Sequence, residues 1–242
     1  AYRDGEHVMV RRSDDFGRAW SKPVTINTEP EPIGADGDAR PRIMAGHGEE
    51  VYVTWTRPLS KPYTGNIRFS RSLDGGRTFS APVTVHTDRQ EITHRFDSIA
   101  VNRSGQLFIA WIDKRDLQSL SDADREISGA AVYYTVSSDH GESFARNRKV
   151  VDHSCECCRI AVADALESGM ALFFRQIFEK HLRDHGFAIV GADDVVSDAS
   201  GHLIVCAFED LGTVAGALEA KLGLPADSYP TPELTTRLRG GR

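Results

Sequence analysis

Three things are scarce in this chain of 242 residues. No apolar run approaches the ~20 residues that a bilayer-spanning helix needs, so no membrane span is expected, and no leader with a basic start and an apolar middle is recognisable. Basic charge is in deficit: 29 Lys and Arg against 35 Asp and Glu leave a net charge of -6 at pH 7. That balance argues against general affinity for nucleic acid. Cysteine is sparse, with four residues, three of them packed into HSCECC as Cys155, Cys157 and Cys158. The spacing lacks the paired CxxC elements of zinc sites, and strand alternation would turn Cys155 and Cys157 to one face and Cys158 to the other. A disulfide or buried thiols are expected there, with metal or redox chemistry beside His153 the alternative. Neither a cofactor nor a metal site is predicted. Cys206, in the apolar run HLIVCAF, is expected in a core.

What the chain does have is one turn written three times: SDDFGRAW (Ser13 to Trp20), SLDGGRTF (Ser72 to Phe79) and SSDHGESF (Ser137 to Phe144). All fit Ser-x-Asp-x-Gly-x-(Thr/Ser/Ala)-(Phe/Trp), between an alternating strand and a short apolar one. An aspartate accepts bonds from backbone N–H groups of its own turn, the glycine two places on adopts an angle that a β-carbon resists, and the aromatic plugs the turn into the apolar layer. Asp15, Asp74 and Asp139 are therefore expected to form turns rather than to catalyse.

The repeat extends upstream. RIMAGHGEEVYVTWTR, SIAVNRSGQLFIAWID and RIAVADALESGMALFFR each read as an apolar strand, a polar turn and a second apolar strand carrying an aromatic. One unit is then four strands, with units starting near Asp38, Arg95 and Glu156, a period of about 50–60 residues in the range of propeller blades.

These turns, in these strand contexts, resemble the Asp-box (BNR repeat) of the sialidase-like β-propeller superfamily, and stretches such as ITHRFDSIAVN, AWIDKRD and DHSCECCRIAVA are similar to bacterial members. The resemblance covers about residues 1–190. It implies a mainly β fold, an incomplete sialidase-like propeller of about three blades, and recognition or hydrolysis of an anionic glycan at an arginine-lined channel mouth. The other readings are a noncatalytic interaction scaffold and, from the C-terminal resemblance below, a regulator of transcription or translation. Too few blades are present to close a ring, so the expectation is a fragment or fusion, or a homo-oligomer that covers the open blade edges. The parent family implies a secreted or periplasmic location.

Channel-mouth residues follow from the repeat alignment. Arg42, Ser98 and Arg159 are equivalent at the start of the first strand, and Arg57, Asp113 and Arg175 at the end of the second. Sialidases hold a substrate carboxylate with arginines from several blades, as guanidinium forks allow. The resemblance thus implies Arg42, Arg57, Arg159 and Arg175 as substrate-binding candidates. Asp97, Asp113 and Asp116 are candidates for the acid that protonates a leaving oxygen. The family's nucleophilic tyrosine and its glutamate partner are not identifiable. Interblade salt bridges are the plainer account of these charges. Asp184 and His185, in RDH, are expected in a surface loop, and Asp122 and Asp124, in LSDADRE, in an acidic loop without a calcium-motif ligand set.

From residue 191 the pattern becomes strand then helix, with Glu209 and Asp210 at the helix start, Val214, Leu218 and Leu222 at helical spacing and Gly223 at its end. GADDVVSDASGHLIVCAFEDLGTVAGALEAKLG resembles the C-terminal region of YebC-type regulators, which implies a short α/β segment over about 191–228, followed by a polar tail over 229–242.

Overall fold

The computed structural model describes residues 1–36, 39–121, 129–154 and 159–164, together with the backbone of three later strands. The described part is mainly β, as expected. Among the described residues, fifteen strands fall into four sheets. The first contains β1 (Tyr2–Asp4), β2 (His7–Val10) and β3 (Val24–Thr25); the second β4 (Arg42–Ala45), β5 (Val51–Pro58), β6 (Gly65–Ser72) and β7 (Val83–Thr84). The third contains β8 (His94–Val101), β9 (Leu107–Asp113), β10 (Ala130–Ser137) and β11 (Arg148–Ser154). The fourth has the order β12 (Ala161–Asp164), β13 (Met170–Phe174), β15 (Leu203–Ala207) and β14 (Val196–Ser197).

Sheets two and three are antiparallel meanders, the blade pattern that the repeat predicts. Sheet four starts as the same hairpin but then departs from it, because β15 pairs parallel to β13. The helix expected after β15, and Cys155, Cys157, Cys158, Asp122, Asp124, Asp184 and His185, lie outside the described residues. Among the described residues no helix is long and apolar enough to cross a membrane.

Each aspartate turn joins the last two strands of its sheet, β2 to β3, β6 to β7 and β10 to β11, and the three are hydrogen-bonded alike. The serine that opens the motif does as much as the aspartate. Ser72 Oγ donates to Asp74 Oδ1 at 2.7 Å and accepts the Gly76 N–H at 2.8 Å, while Asp74 Oδ1 accepts the Thr78 N–H at 2.9 Å. Ser13 and Asp15, and Ser137 and Asp139, repeat the pattern. Hydroxyl and N–H donors favour the ionised form, so the carboxyls of Asp74 and Asp139 lie far below the ordinary aspartate range.

The cores lie between sheets. Val8, Val10 and Ile26 of the first meet Val53 and Trp55 of the second; Tyr52, Ile67 and Phe69 of the second meet Ile109 and Trp111 of the third; Phe96, Phe108 and Val132 of the third meet Ile160 and Val162 of the fourth. Full burial of each such side chain contributes roughly 1.5–3 kcal/mol. Phe79 and Phe144, the motif aromatics of turns two and three, pack into the core between their own sheet and the preceding one. Trp20 of turn one is 58% exposed, contrary to the plug expected of it, because no described sheet precedes β1.

Two further contacts tie sheet to sheet. Arg71 of β6 donates to the Asp139 and His140 carbonyls of the next turn, and Ser98 Oγ in β8 accepts the Val162 N–H of β12. The first strands β4, β8 and β12 therefore run as neighbours, which brings their leading residues to one end of the assembly.

Candidate functional site

The site is organised by an irregularity in β8. Arg95 is paired with Ile112 and Ser98 with Ala110, so Phe96 and Asp97 together face the single residue Trp111. The extra residue bends the strand, and Phe96 takes a positive φ of 56°. A bulky side chain in that region is strained, and such bulges re-aim side chains. The Asp97 carboxyl is only 3% exposed and points back to the second sheet, where Oδ2 accepts the Thr54 hydroxyl at 2.5 Å. Burial raises its pKa above the ordinary aspartate value; the Thr54 bond and the Arg42 charge oppose the rise without cancelling it.

Two of the predicted arginines meet here. Arg42 of β4 and Ser98 of β8 occupy equivalent register positions, opposite Thr54 and Ala110, as the repeat alignment requires. Arg42 acts electrostatically on Asp97. Arg159, just before β12, lays its guanidinium over the Phe96 ring at 3.9 Å, while Arg95 approaches the same ring at 4.7 Å and the exposed Tyr63 ring at 5.6 Å. Three neighbouring sheets thus deliver guanidinium groups around one bulge and one buried carboxyl. Phe96, Arg95 and Thr54 were not singled out from the sequence.

The remaining candidates sit in other clusters. Arg57, at the end of β5, lies 3.7 Å from Glu31, whose carboxylate also accepts Trp55 Nε1 at 2.8 Å and Arg68 Nε at 3.2 Å. Asp113, at the matching end of β9, is wholly buried. It accepts Trp111 Nε1 at 2.8 Å, the Arg115 N–H at 2.8 Å and two guanidinium bonds from Arg115 at 3.0 and 2.6 Å. Trp55 and Trp111 are equivalent in the repeat, so each sheet seats a tryptophan N–H on a carboxylate that an arginine neutralises. Asp116, in the 3₁₀ turn Arg115–Ser119, accepts Tyr133 OH on both oxygens at 3.0 and 2.9 Å and lies 3.5 Å from Lys149. Arg175 lies outside the described residues.

Beneath Asp113 is a pair that sequence reasoning missed. The rings of His86 and His94 stack at 3.7 Å with planes 8° apart, both fully buried. Their Nδ1 atoms lie 2.6 Å from the Asp88 carbonyl and 2.9 Å from the Gly65 carbonyl, so each Nδ1 bears the proton and each Nε2 a lone pair with no hydrogen-bond donor. Burial, and the repulsion between the two rings, lower the pKa of His86 to about 3; burial also lowers that of His94. Among the described residues no group of three or more His, Cys, Asp or Glu is placed to hold a metal ion.

No family model matches the chain. Solved structures resemble it in the arrangement of strands. A Hadza microbial sialidase is 20% identical over 71% of this chain and 36% of its own, with a TM-score of 0.45. The NanB sialidase of Streptococcus pneumoniae is 14% identical over 71% of this chain and 24% of its own, at 0.44, and the alpha-L-arabinanase of Penicillium chrysogenum is 12% identical over 65% and 44%, at 0.43. The chain spans less than half the length of each. Likeness at this level carries no residue's role across. The resemblance of the C-terminal stretch to YebC-type regulators finds no support in these matches.

Proposed function

We propose that the face around the β8 bulge recognises an anionic glycan, with Arg42 and Arg159 as the cationic contacts and the exposed Tyr63 ring as an apolar surface for the sugar. The observation that carries this reading is the convergence of guanidinium groups from consecutive sheets on a strained bulge, where salt bridging alone would demand neither the positive φ nor the exposed aromatic. Arginine suits a planar carboxylate because its fork donates two parallel bonds. Glycan-active relatives with a similar strand arrangement, among them sialidases and an ulvan lyase, agree with this class of ligand.

Of the three carboxyls considered for proton transfer, Asp97 fits best, because desolvation favours its protonated form. Asp113 is assigned to the support of Trp111 and Arg115, and Asp116 to the support of Tyr133 and Lys149. Arg57 belongs with Glu31 and Arg68 in an interblade cluster. Hydrolysis would need a nucleophile that the described residues do not identify, so binding is the activity proposed. Titration with 3'-sialyllactose and with lactose tests it. The acidic sugar should bind, the neutral one at least tenfold more weakly, and Arg42→Ala should remove the difference; equal affinity for both sugars would refute the reading. A fluorogenic sialoside measures turnover, and Asp97→Asn should abolish any that is found.

A further inference from the structure

A second cleft is lined by residues that follow β7 and β9 and that lead into β11. Its volume is about 830 Å³, and Arg115, Tyr133, Arg146, Asn147, Arg148 and Lys149 line it, with Thr87 at its edge. Arg115, Arg146 and Lys149 bring cationic side chains to it and no lining residue is acidic, in a chain whose net charge is -6; the Arg148 guanidinium lies over the Tyr134 ring at 5.8 Å. Chance placement on an acidic surface would mix the signs.

The walls are rigid. Asn147 is buried and spends its amide inward: Oδ1 accepts the Thr87 N–H at 2.6 Å and the Thr87 hydroxyl at 3.0 Å, and Nδ2 donates to the Val85 carbonyl at 3.3 Å. These bonds pin the exit of the second sheet to the start of β11. Arg115 is held from behind by the wholly buried Asp113 and lies 4.1 Å over the Tyr133 ring. Lys149 is anchored on one side by Asp116 at 3.5 Å and Asp152 at 3.1 Å, with its side chain 41% exposed. Arg146 is exposed and forms no ion pair among the described residues. Asp113 and Asp116 thus fix Arg115, Tyr133 and Lys149, while the Arg146 guanidinium is left for a ligand.

We propose that this cleft is a second anion-binding site that takes a sulfate or carboxylate group carried on a glycan. Both groups present oxygens in the geometry that guanidinium and ammonium donors satisfy, and both gain from a preorganised, partly desolvated set of cations. The proposal stands apart from the reading of Arg42, since it uses different residues on a different part of the third sheet.

The test is calorimetric titration of the whole chain with a sulfated disaccharide, an unsulfated uronic-acid disaccharide and inorganic sulfate, at low and moderate salt. Arg115 is left in place, because its loss would strand the buried Asp113. The double variant Arg146→Ala, Lys149→Ala removes two exposed cations and should leave the unfolding temperature within a few degrees of the parent. At least one acidic disaccharide should bind the parent, more weakly as salt rises, and the double variant should lose about tenfold in affinity, one charge-assisted contact or more. Arg42→Ala should retain this binding. A preference for the sulfated probe identifies a sulfate ester as the ligand group, and binding of the uronate identifies a carboxylate. The proposal fails if neither disaccharide binds, if only inorganic sulfate does, or if the double variant binds like the parent. Binding lost in Arg42→Ala but kept in the double variant would place the ligand at the β8 bulge and overturn the cleft.

Discussion

Acidification should destabilise this protein well above the pH at which its aspartates titrate, and the His86–His94 stack is the reason. Both rings are buried and neutral, and His86 has a pKa of about 3 in the folded chain. An unfolded histidine titrates near 6.5. The unfolded state therefore binds more protons below that pH, so stability is intact above about 6.5 and falls as the pH drops toward 3. His86 contributes a slope of roughly 1.4 kcal/mol per pH unit, about 2–3 kcal/mol between pH 6.5 and 4.5, and His94, lowered by burial against the pull of Asp113 and Asp88, adds in the same sense. The turn aspartates are depressed in the folded state, so their contributions are lost only below about pH 4. Asp97, whose pKa is raised, acts in the opposite sense and is common to parent and variant. The perturbation is His86→Phe, which keeps a flat ring against His94 while removing one proton site. Urea unfolding at half-unit steps from pH 7 to 4.5 should show a parent whose stability falls steeply and a variant that starts lower, having lost the bond to the Asp88 carbonyl, but falls less steeply. Parallel pH profiles for the two proteins would refute the reasoning.

Other outcomes follow from single contacts. Gly141→Ala would add a β-carbon 2.5 Å from Phe69 Cζ at a residue with φ of 79°, and should cost more than about 2 kcal/mol by denaturant unfolding, whereas at Gly48, where nothing lies within 4 Å, only the positive φ opposes the same change. Ser72→Ala removes both the acceptor for the Gly76 N–H and a donor to Asp74, and should destabilise by roughly 1–2 kcal/mol; Ser137→Ala should match it, because the turns are equivalent. Glu31→Ala should cost roughly 3 kcal/mol in thermal or urea unfolding, since it leaves the Trp55 N–H and two guanidinium groups without their shared acceptor, and Glu31→Gln should recover part of that loss.

The fold was legible where its causes are local. The Asp15, Asp74 and Asp139 turns close within eight residues, so their hydrogen bonds leave a sequence pattern, and the strand pairs around Trp55 and Trp111 follow from alternation. The register equivalence of Arg42 and Ser98 came from the same repeat. What the sequence hid depends on contacts between sheets. Nothing local marks Phe96 as the extra residue of a bulge, nor Glu31 as the partner of a tryptophan 24 residues later. The spacing of Trp111 and Asp113 did carry a signal, because residues two apart on a strand share a face and an indole N–H needs an acceptor there. The stacked histidines carried none: His86 follows the last strand of the second sheet and His94 opens the third, and they meet only because the sheets pack. Trp20 fits the motif yet stays exposed, since a turn's aromatic is buried by the preceding sheet and not by the turn itself.

The central claim is that arginines from consecutive sheets converge on one ligand carboxylate beside the β8 bulge. A crystal structure of the chain with N-acetylneuraminic acid tests it most directly. The sugar carboxylate should lie within hydrogen-bonding distance of the Arg42 and Arg159 guanidinium groups, with the ring over the exposed Tyr63. A sugar bound elsewhere, or one whose carboxylate faces away from both arginines, would contradict the account.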